Sequence, residues 1–234
     1  PQSYLRETLW SDAPVSHIVV TPPVPSFPLN PDKADWSVWD FPDVVDHWNF
    51  PGYEGKKMTV SVYSNCEQVE LFLNGESLGK QENTADKKNT LVWEVPYAHG
   101  ILKAVSYNKG GEVGTATLES AGKVEKIRLS ADRTEIVADG NDLSYITLEL
   151  VDSKGIRNQL AEELVEFSIE GDATIEGVGN ANPMSIESFV ANSRKTWRGS
   201  NLLVVRSGKS SGRIIVTAKV KALPVASITI TQKK

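Results

Sequence analysis

The 234-residue sequence contains one cysteine, three histidines and no apolar run that approaches the length of a membrane span. Because Cys66 has no second cysteine to pair with, an internal disulfide framework and a multi-cysteine zinc site are excluded, and we expect Cys66 to be buried. A transmembrane helix would need about 18 consecutive apolar residues. The first residues, PQSYLRETLW, lack the basic and apolar regions of a signal peptide. Since the sequence begins with Pro1, we expect it to be cut from a longer protein.

The net charge of −5 and the isoelectric point near 5.4 argue against nucleic acid or a membrane surface as a partner. The histidines, His17, His47 and His99, are scattered and provide no pair with the spacing of metal ligands. Asp139, Asn141 and Asp142 carry side-chain oxygens of the kind that bind Ca²⁺, but their spacing fits no EF-hand loop. We therefore predict a hydrogen-bonded turn there. The sequence predicts no metal site and no cofactor.

Composition changes near residues 120–123, which indicates two domains. Residues 1–122 carry 9 Lys and Arg against 16 Asp and Glu, whereas residues 123–234 carry 16 against 14. Of the 18 aromatic residues Phe, Trp and Tyr, 14 precede residue 123. The small-residue stretch from Ser120 to Lys123 is therefore the predicted boundary.

Only residues 3–10, SYLRETLW, resemble a helix, with Ser3 as its N-cap and Leu5 and Leu9 on one face. Residues 21–51 are rich in proline and aromatic residues, which predicts an extended but ordered loop. From Lys57 onward the apolar period is two. Val69, Leu71 and Leu73 alternate with Glu70, Phe72 and Asn74, which predicts a half-buried strand before the Asn74-Gly75 turn. Further strands are predicted at NTLVWEVPY, ILKAVSYN, EVGTATLES, KIRLSA, YITLELVD, LVEFSIEG, LLVVRS, RIIVTAK and ASITITQ. Short strands at this spacing predict an all-β protein of two antiparallel β-sandwiches in tandem.

Three segments resemble the C-terminal region of glycoside hydrolase family 2 enzymes of the bacterial β-galactosidase type. They are SYLRETLWSDAPV, the run HWNFPGYEGKKMTVSVYSNCEQVELFLNGESLGK, and the second half from ADGNDLSYITLELVDSKG to GRIIVTAK. Two departures are visible: about thirty residues from Ile18 to Asp46 are inserted, and Ala181 replaces the last glycine of the family's Gly-x-Gly-Asn-Gly loop. Ala181 argues against a left-handed backbone at that position.

The resemblance implies three parts: residues 1–14 as a remnant of the last helix of a catalytic (β/α)8 barrel with its linker, residues 15–122 as the β-sandwich that follows it, and residues 123–234 as a terminal immunoglobulin-like sandwich. It also implies that the parent hydrolyses β-galactosides with retention, using two glutamates roughly 5 Å apart. Those glutamates belong to barrel strands outside this sequence, so no catalytic residue is predicted here. The missing barrel is the implied partner, and a periplasmic or secreted location follows from the same resemblance.

The tryptophans of the proline-rich loop are the candidate carbohydrate contacts: Trp36, Trp39 and Trp48. Their rings are suited to three roles, which are packing between domains, a contribution to the sugar subsites of the parent, and an independent sugar site. The functional prediction is a pair of non-catalytic accessory domains of the hydrolase. The alternatives are a carbohydrate-binding module pair that targets the enzyme to polysaccharide, and an immunoglobulin-like adhesin of the cell surface.

Overall fold

The computed structural model describes residues 2–26 and 42–234. The chain divides into two compact units, residues 1–120 and residues 121–234. Each unit is an immunoglobulin-like β-sandwich of two sheets, which confirms the predicted all-β class. Among the described residues, no helix has the length and apolar character that a membrane crossing requires.

Within its described residues, 2–26 and 42–120, the first unit contains one helix and seven strands. These elements are α1 (Gln2–Trp10), β1 (Ser16–Val20), β2 (Lys57–Ser64), β3 (Gln68–Leu73), β4 (Glu76–Glu82), β5 (Thr90–Pro96), β6 (Ile101–Asn108) and β7 (Gly111–Glu119), with a 3₁₀ turn at Ala85–Lys87. One sheet has the order β1-β2-β5 and the other β4-β3-β6-β7, and every pair is antiparallel. The helix already includes Gln2, so Ser3 lies inside it and the predicted capping role of Ser3 is wrong.

Alternation along the strands builds the core of the first unit. Val60 and Val62 of β2, Leu71 of β3 and Leu102 of β6 are fully buried between the two sheets. Exposed residues separate the buried ones on β5, whose burial alternates along its whole length. Cys66 is 1% exposed and unpaired, as predicted.

The second unit contains nine strands. They are β8 (Lys126–Ala131), β9 (Glu135–Val137), β10 (Leu143–Val151), β11 (Leu164–Glu170), β12 (Ala173–Gly179), β13 (Ser193–Lys195), β14 (Ser200–Ser207), β15 (Gly212–Val220) and β16 (Ala226–Lys233). The sheets have the orders β12-β14-β10-β8 and β13-β11-β15-β16-β9. All pairs are antiparallel except β16 with β9, which is parallel. Ile146, Leu148, Phe167 and Ile214 form part of the core between these sheets.

Two turns in the second unit bear on the sequence analysis. Asp139 Oδ1 accepts the backbone N–H groups of Asn141 and Asp142 at 2.8 and 2.9 Å, which is the predicted hydrogen-bonded turn. Ala181 has a φ of 58°, so its backbone is left-handed and the expectation drawn from its side chain is wrong. The position retains its backbone conformation because Asn180 Oδ1 accepts the N–H of Asn182 and fixes the turn around it.

Candidate functional site

The helix α1 is attached to the first sandwich through polar side chains. Thr8 is 4% exposed, and Asn89 Nδ2 donates to its backbone oxygen at 3.3 Å and to its Oγ1 at 3.2 Å. The hydroxyl of Tyr4 donates to Asp46 Oδ2 at 3.2 Å. Globular proteins usually bury the apolar face of a helix. Here the buried anchor is a threonine.

The large apolar side chains at the end of α1 are exposed instead. Leu9 is 64% exposed and Trp10 78%. A tryptophan and a leucine side by side in water leave apolar surface that a soluble protein normally covers. We call the exposed surface formed by Leu9 and Trp10 the junction face.

His17 of strand β1 makes a further contact with α1. Its imidazole stacks on the ring of Tyr4 with centroids 4.2 Å apart, and its Nε2 lies 2.8 Å from Glu7 Oε2. Tyr4, Glu7 and Thr8 are spaced i, i+3, i+4 and therefore share one helical face. The sequence analysis did not identify this polar face, although its spacing was the signal that would have revealed it.

The proline-rich loop leaves and re-enters the sandwich at one point next to α1. Val20 and Val45 exchange backbone hydrogen bonds of 2.8 Å in both directions, and the N–H of Ser26 donates to Asp43 Oδ2 at 2.6 Å. Asp46, which accepts the hydrogen bond from Tyr4, follows Val45 directly. Trp36 and Trp39, two of the three candidate carbohydrate contacts, lie outside the described residues.

Trp48, the third candidate, lies in the core of the first unit and is fully buried. Its Nε1 donates to the backbone oxygen of Ala98 at 2.8 Å, and its ring meets Phe50 and Tyr97 edge to face, with centroids 6.0 and 4.9 Å away. Ser120 Oγ donates to the backbone oxygen of Trp48. The ring therefore stabilises the base of the loop, and the carbohydrate role assigned to the three tryptophans stays a prediction.

The carboxyl groups whose pKa values are shifted are aspartates that accept hydrogen bonds from nearby groups of the fold. The pKa is lowered at five aspartates, namely Asp86, Asp139, Asp142, Asp152 and Asp172. Burial by itself would raise the pKa of Asp152. The hydrogen bonds from the backbone N–H groups of Gly122, Ile156 and Lys154 together outweigh that effect, so the pKa is lowered. A general acid of a glycosidase needs a raised pKa instead. Within residues 2–26 and 42–234, no group of three or more His, Cys, Asp or Glu side chains is arranged to hold a metal ion.

Two family models match the chain. Residues 127–229 match the model described as glycoside hydrolase family 2 C-terminal domain 5, and residues 55–114 match a domain of unknown function. A crystal structure of a glycosyl hydrolase family 2 member from Bacteroides cellulosilyticus is 95% identical, with a TM-score of 0.92 over 99% of this chain. The chain belongs to glycoside hydrolase family 2. It corresponds to the C-terminal, non-catalytic part of such enzymes.

Curated relatives of the family carry two kinds of name. Beta-galactosidase BoGH2A of Bacteroides ovatus is 32% identical over 203 residues, which is 86% of this chain and 24% of that protein. A beta-glucuronidase of Formosa agariphila is 30% identical over 205 residues, which is 85% of this chain and 20% of that protein. The chain also covers 30% of the Bacteroides cellulosilyticus structure. It thus spans about a quarter of the length of these family members.

Proposed function

We propose that the two sandwiches brace the catalytic domain of a retaining, β-galactosidase-like enzyme of family 2, and that its catalytic glutamates lie outside this chain. The observation that carries the proposal is the junction face. Leu9 and Trp10 are exposed on a helix that is fixed to the sandwich by polar contacts, so their apolar surface is available to a partner. The catalytic domain is the partner that supplies one. The similarity to BoGH2A supports β-galactosides as the substrate class.

We further propose the domain bounds that the sequence indicates. Residues 1–14 end the catalytic domain and its linker, residues 15–122 form the following sandwich, and residues 123–234 form the terminal immunoglobulin-like domain. The positions of the matched family models, 55–114 and 127–229, support this division.

The activity test compares the full-length parent protein with the 234-residue chain. We expect the full-length protein to hydrolyse an aryl β-galactoside with retention, and to prefer it to the matching aryl β-glucuronide. We expect the chain alone to show no turnover at any pH. A preference for the glucuronide would contradict the proposed substrate. Turnover by the chain that survives repurification and is lost on replacing one of its glutamates would contradict the non-catalytic assignment.

For Trp36 and Trp39 we propose packing against the catalytic domain, with carbohydrate contact as the competing role. The acidic net charge supports neither nucleic acid nor a membrane as a partner. In the full-length protein, packing predicts that Trp36→Ala and Trp39→Ala lower the melting temperature and leave KM unchanged. A sugar-binding role predicts a raised KM with the melting temperature unchanged, together with a saturable fluorescence change on adding galactose or an oligosaccharide.

We also propose a periplasmic or secreted location for the parent, on the basis of the family resemblance alone. Fractionation of the source bacterium, with immunodetection of the parent and of a cytoplasmic marker enzyme, tests this location. Recovery of the parent with the cytoplasmic marker would contradict it.

A further inference from the structure

A second exposed apolar surface lies on the loop between β12 and β13, far along the sequence from the junction face. Four side chains make it, and we call them the crest: Met184 (79% exposed), Ile186 (101%), Phe189 (62%) and Val190 (80%). The other residues of this loop are small or polar, so the apolar side chains stand out within it. Clusters of this kind on a soluble protein mark contact sites.

A buried arginine holds the crest loop in one conformation. Arg194 of β13 is fully buried. Its Nη1 donates to the backbone oxygens of Val178 and Glu187 at 3.2 and 3.1 Å, and its Nη2 donates to Ser185 Oγ at 3.1 Å. The guanidinium carbon lies 4.2 Å from the centroid of the Phe189 ring. Burying a guanidinium is costly unless its N–H groups are hydrogen-bonded. These bonds satisfy Nη1 and Nη2, whereas Nε is buried without a hydrogen-bond partner. The loop is thus fixed by a group that is expensive to bury.

Hydrogen bonds to backbone N–H groups hold the same loop at two further points. The N–H of Val178 donates to the oxygen of Phe189 at 2.8 Å, which lays the loop along the edge of β12. A side chain at Gly177 would bring its Cβ within 3.2 Å of that oxygen, so the close approach favours glycine. The second point is at Glu187, whose side-chain Oε1 accepts the N–H of Lys195 in β13 at 3.0 Å. The crest is therefore presented on a built support rather than on a free loop.

The size of the crest decides what kind of partner covers it. A standard interface between separate proteins uses roughly 20–30 residues a side. The crest supplies four. Four apolar side chains are few for an interface between separate proteins, whereas a tethered partner can use a small surface, because a covalent link supplies a high effective concentration. This chain covers 30% of the similar crystal structure and 24% of BoGH2A, so most of the polypeptide in these enzymes lies outside it.

We propose that the crest is a docking surface for the catalytic part of the same polypeptide, which makes a second attachment point in addition to the junction face. The inference rests on the proposed function, because it requires a catalytic part in the same chain. The second sandwich then contacts the catalytic part directly, through Ile186 and its neighbours, and does not depend on the first sandwich to do so.

Methionine oxidation in the full-length protein tests whether the crest is covered. The chain has two methionines, Met184 in the crest and Met58, which is 3% exposed and serves as the internal control. With dilute hydrogen peroxide and peptide mass spectrometry, we expect Met184 to oxidise at least ten-fold more slowly than free methionine, close to the rate of Met58. Oxidation of Met184 at the rate of free methionine would overturn the proposal, even if the enzyme is fully active on a β-galactoside.

Photo-crosslinking identifies what covers the crest. We would place p-benzoylphenylalanine at residue 186 of the full-length protein, with a control at residue 137, where Val137 of β9 is 51% exposed. Crosslinks from residue 186 to catalytic peptides of the same polypeptide, without a matching set from residue 137, support the proposal. Crosslinked dimers, or crosslinks that appear only to added oligosaccharide, would overturn it. Loss of galactosidase activity in the unmodified protein would instead refute the proposed function.

Discussion

Ala181 shows how one residue can keep a conformation that its own chemistry disfavours. Its φ of 58° lies in the left-handed region, where an L-residue with a Cβ is strained by roughly 1–2 kcal/mol. Glycine relieves that strain but loses more backbone entropy on folding. We therefore expect Ala181→Gly to raise the free energy of unfolding by about 0.5–1 kcal/mol. Urea denaturation measures this, with Ala173→Gly in β12 as the control that should destabilise. A destabilised Ala181→Gly variant would contradict the strain.

Asp152 links a buried carboxylate to the pH dependence of stability. Its Oδ2 accepts the N–H of Gly122 at 2.8 Å, and its Oδ1 accepts those of Lys154 and Ile156 at 2.9 Å. These bonds stabilise the ionised carboxylate by more than burial destabilises it. The pKa of Asp152 in the folded state therefore lies below the usual value. The stabilisation is then complete above the unfolded-state pKa of about 3.9 and is lost as pH falls through the lowered folded-state pKa.

Replacing Asp152 by asparagine tests that account. The amide would turn one NH₂ group toward a backbone N–H, so we expect Asp152→Asn to lower the free energy of unfolding at pH 7 by roughly 1–3 kcal/mol. The difference in free energy of unfolding between the variant and the original protein should shrink as the pH falls below about 4. Denaturation at a series of pH values measures it. Asp12→Asn, at an exposed position, is the matched control and should change little. An Asp152→Asn difference that stays constant down to acid pH would disprove the role of ionisation.

At the scale of elements, the crest loop depends on Arg194 more than on its own sequence. A lysine in its place offers one ammonium group, which cannot bond Val178, Glu187 and Ser185 together as the planar guanidinium does. We expect Arg194→Lys to lower the melting temperature by several degrees and to speed amide hydrogen exchange across residues 183–190. Arg206→Lys, which alters a half-exposed ion pair with Glu176, is the control. Unchanged exchange in Arg194→Lys would mean that the backbone contacts alone hold the loop.

Elements were predictable where a local rule decides them. Asn74-Gly75 predicted a hairpin, and both residues have positive φ, 53° and 89°, between β3 and β4. Strands with apolar alternation, such as LVEFSIEG, were also found. Strands β1 and β9 were missed. Strands β12 and β13 were missed as well, because β12 is rich in glycine and β13 has only three residues. β12 is a strand because it pairs with β14, and β13 because it pairs with β11. These partners are distant in sequence, so a local pattern does not reveal the pairing.

At the scale of the molecule, the sequence carried the class of fold but not the sites. Alternating apolar residues define two separate cores, one around Val60 and Leu71 and the other around Leu148 and Phe167. The junction face was only partly predictable, since α1 was identified as a helix while its polar attachment through Tyr4 and Thr8 was not. The crest was missed altogether. Hydrophobic periodicity reports burial within the chain, and the partners proposed for these surfaces lie beyond it.

Two separate cores predict that the second sandwich folds by itself. Residues 121–234 contain a core of their own, with Ile146, Leu148 and Ile214 fully buried between its two sheets. A fragment of 114 residues is large enough to bury a core of this kind. We expect the isolated fragment to unfold in one cooperative transition, with a denaturant m-value that matches its size. Leu148→Ala should lower its free energy of unfolding by about 2–5 kcal/mol, whereas Leu202→Ala, at a 41% exposed position on β14, should change it little. A fragment with no cooperative transition would show that its core requires the rest of the protein.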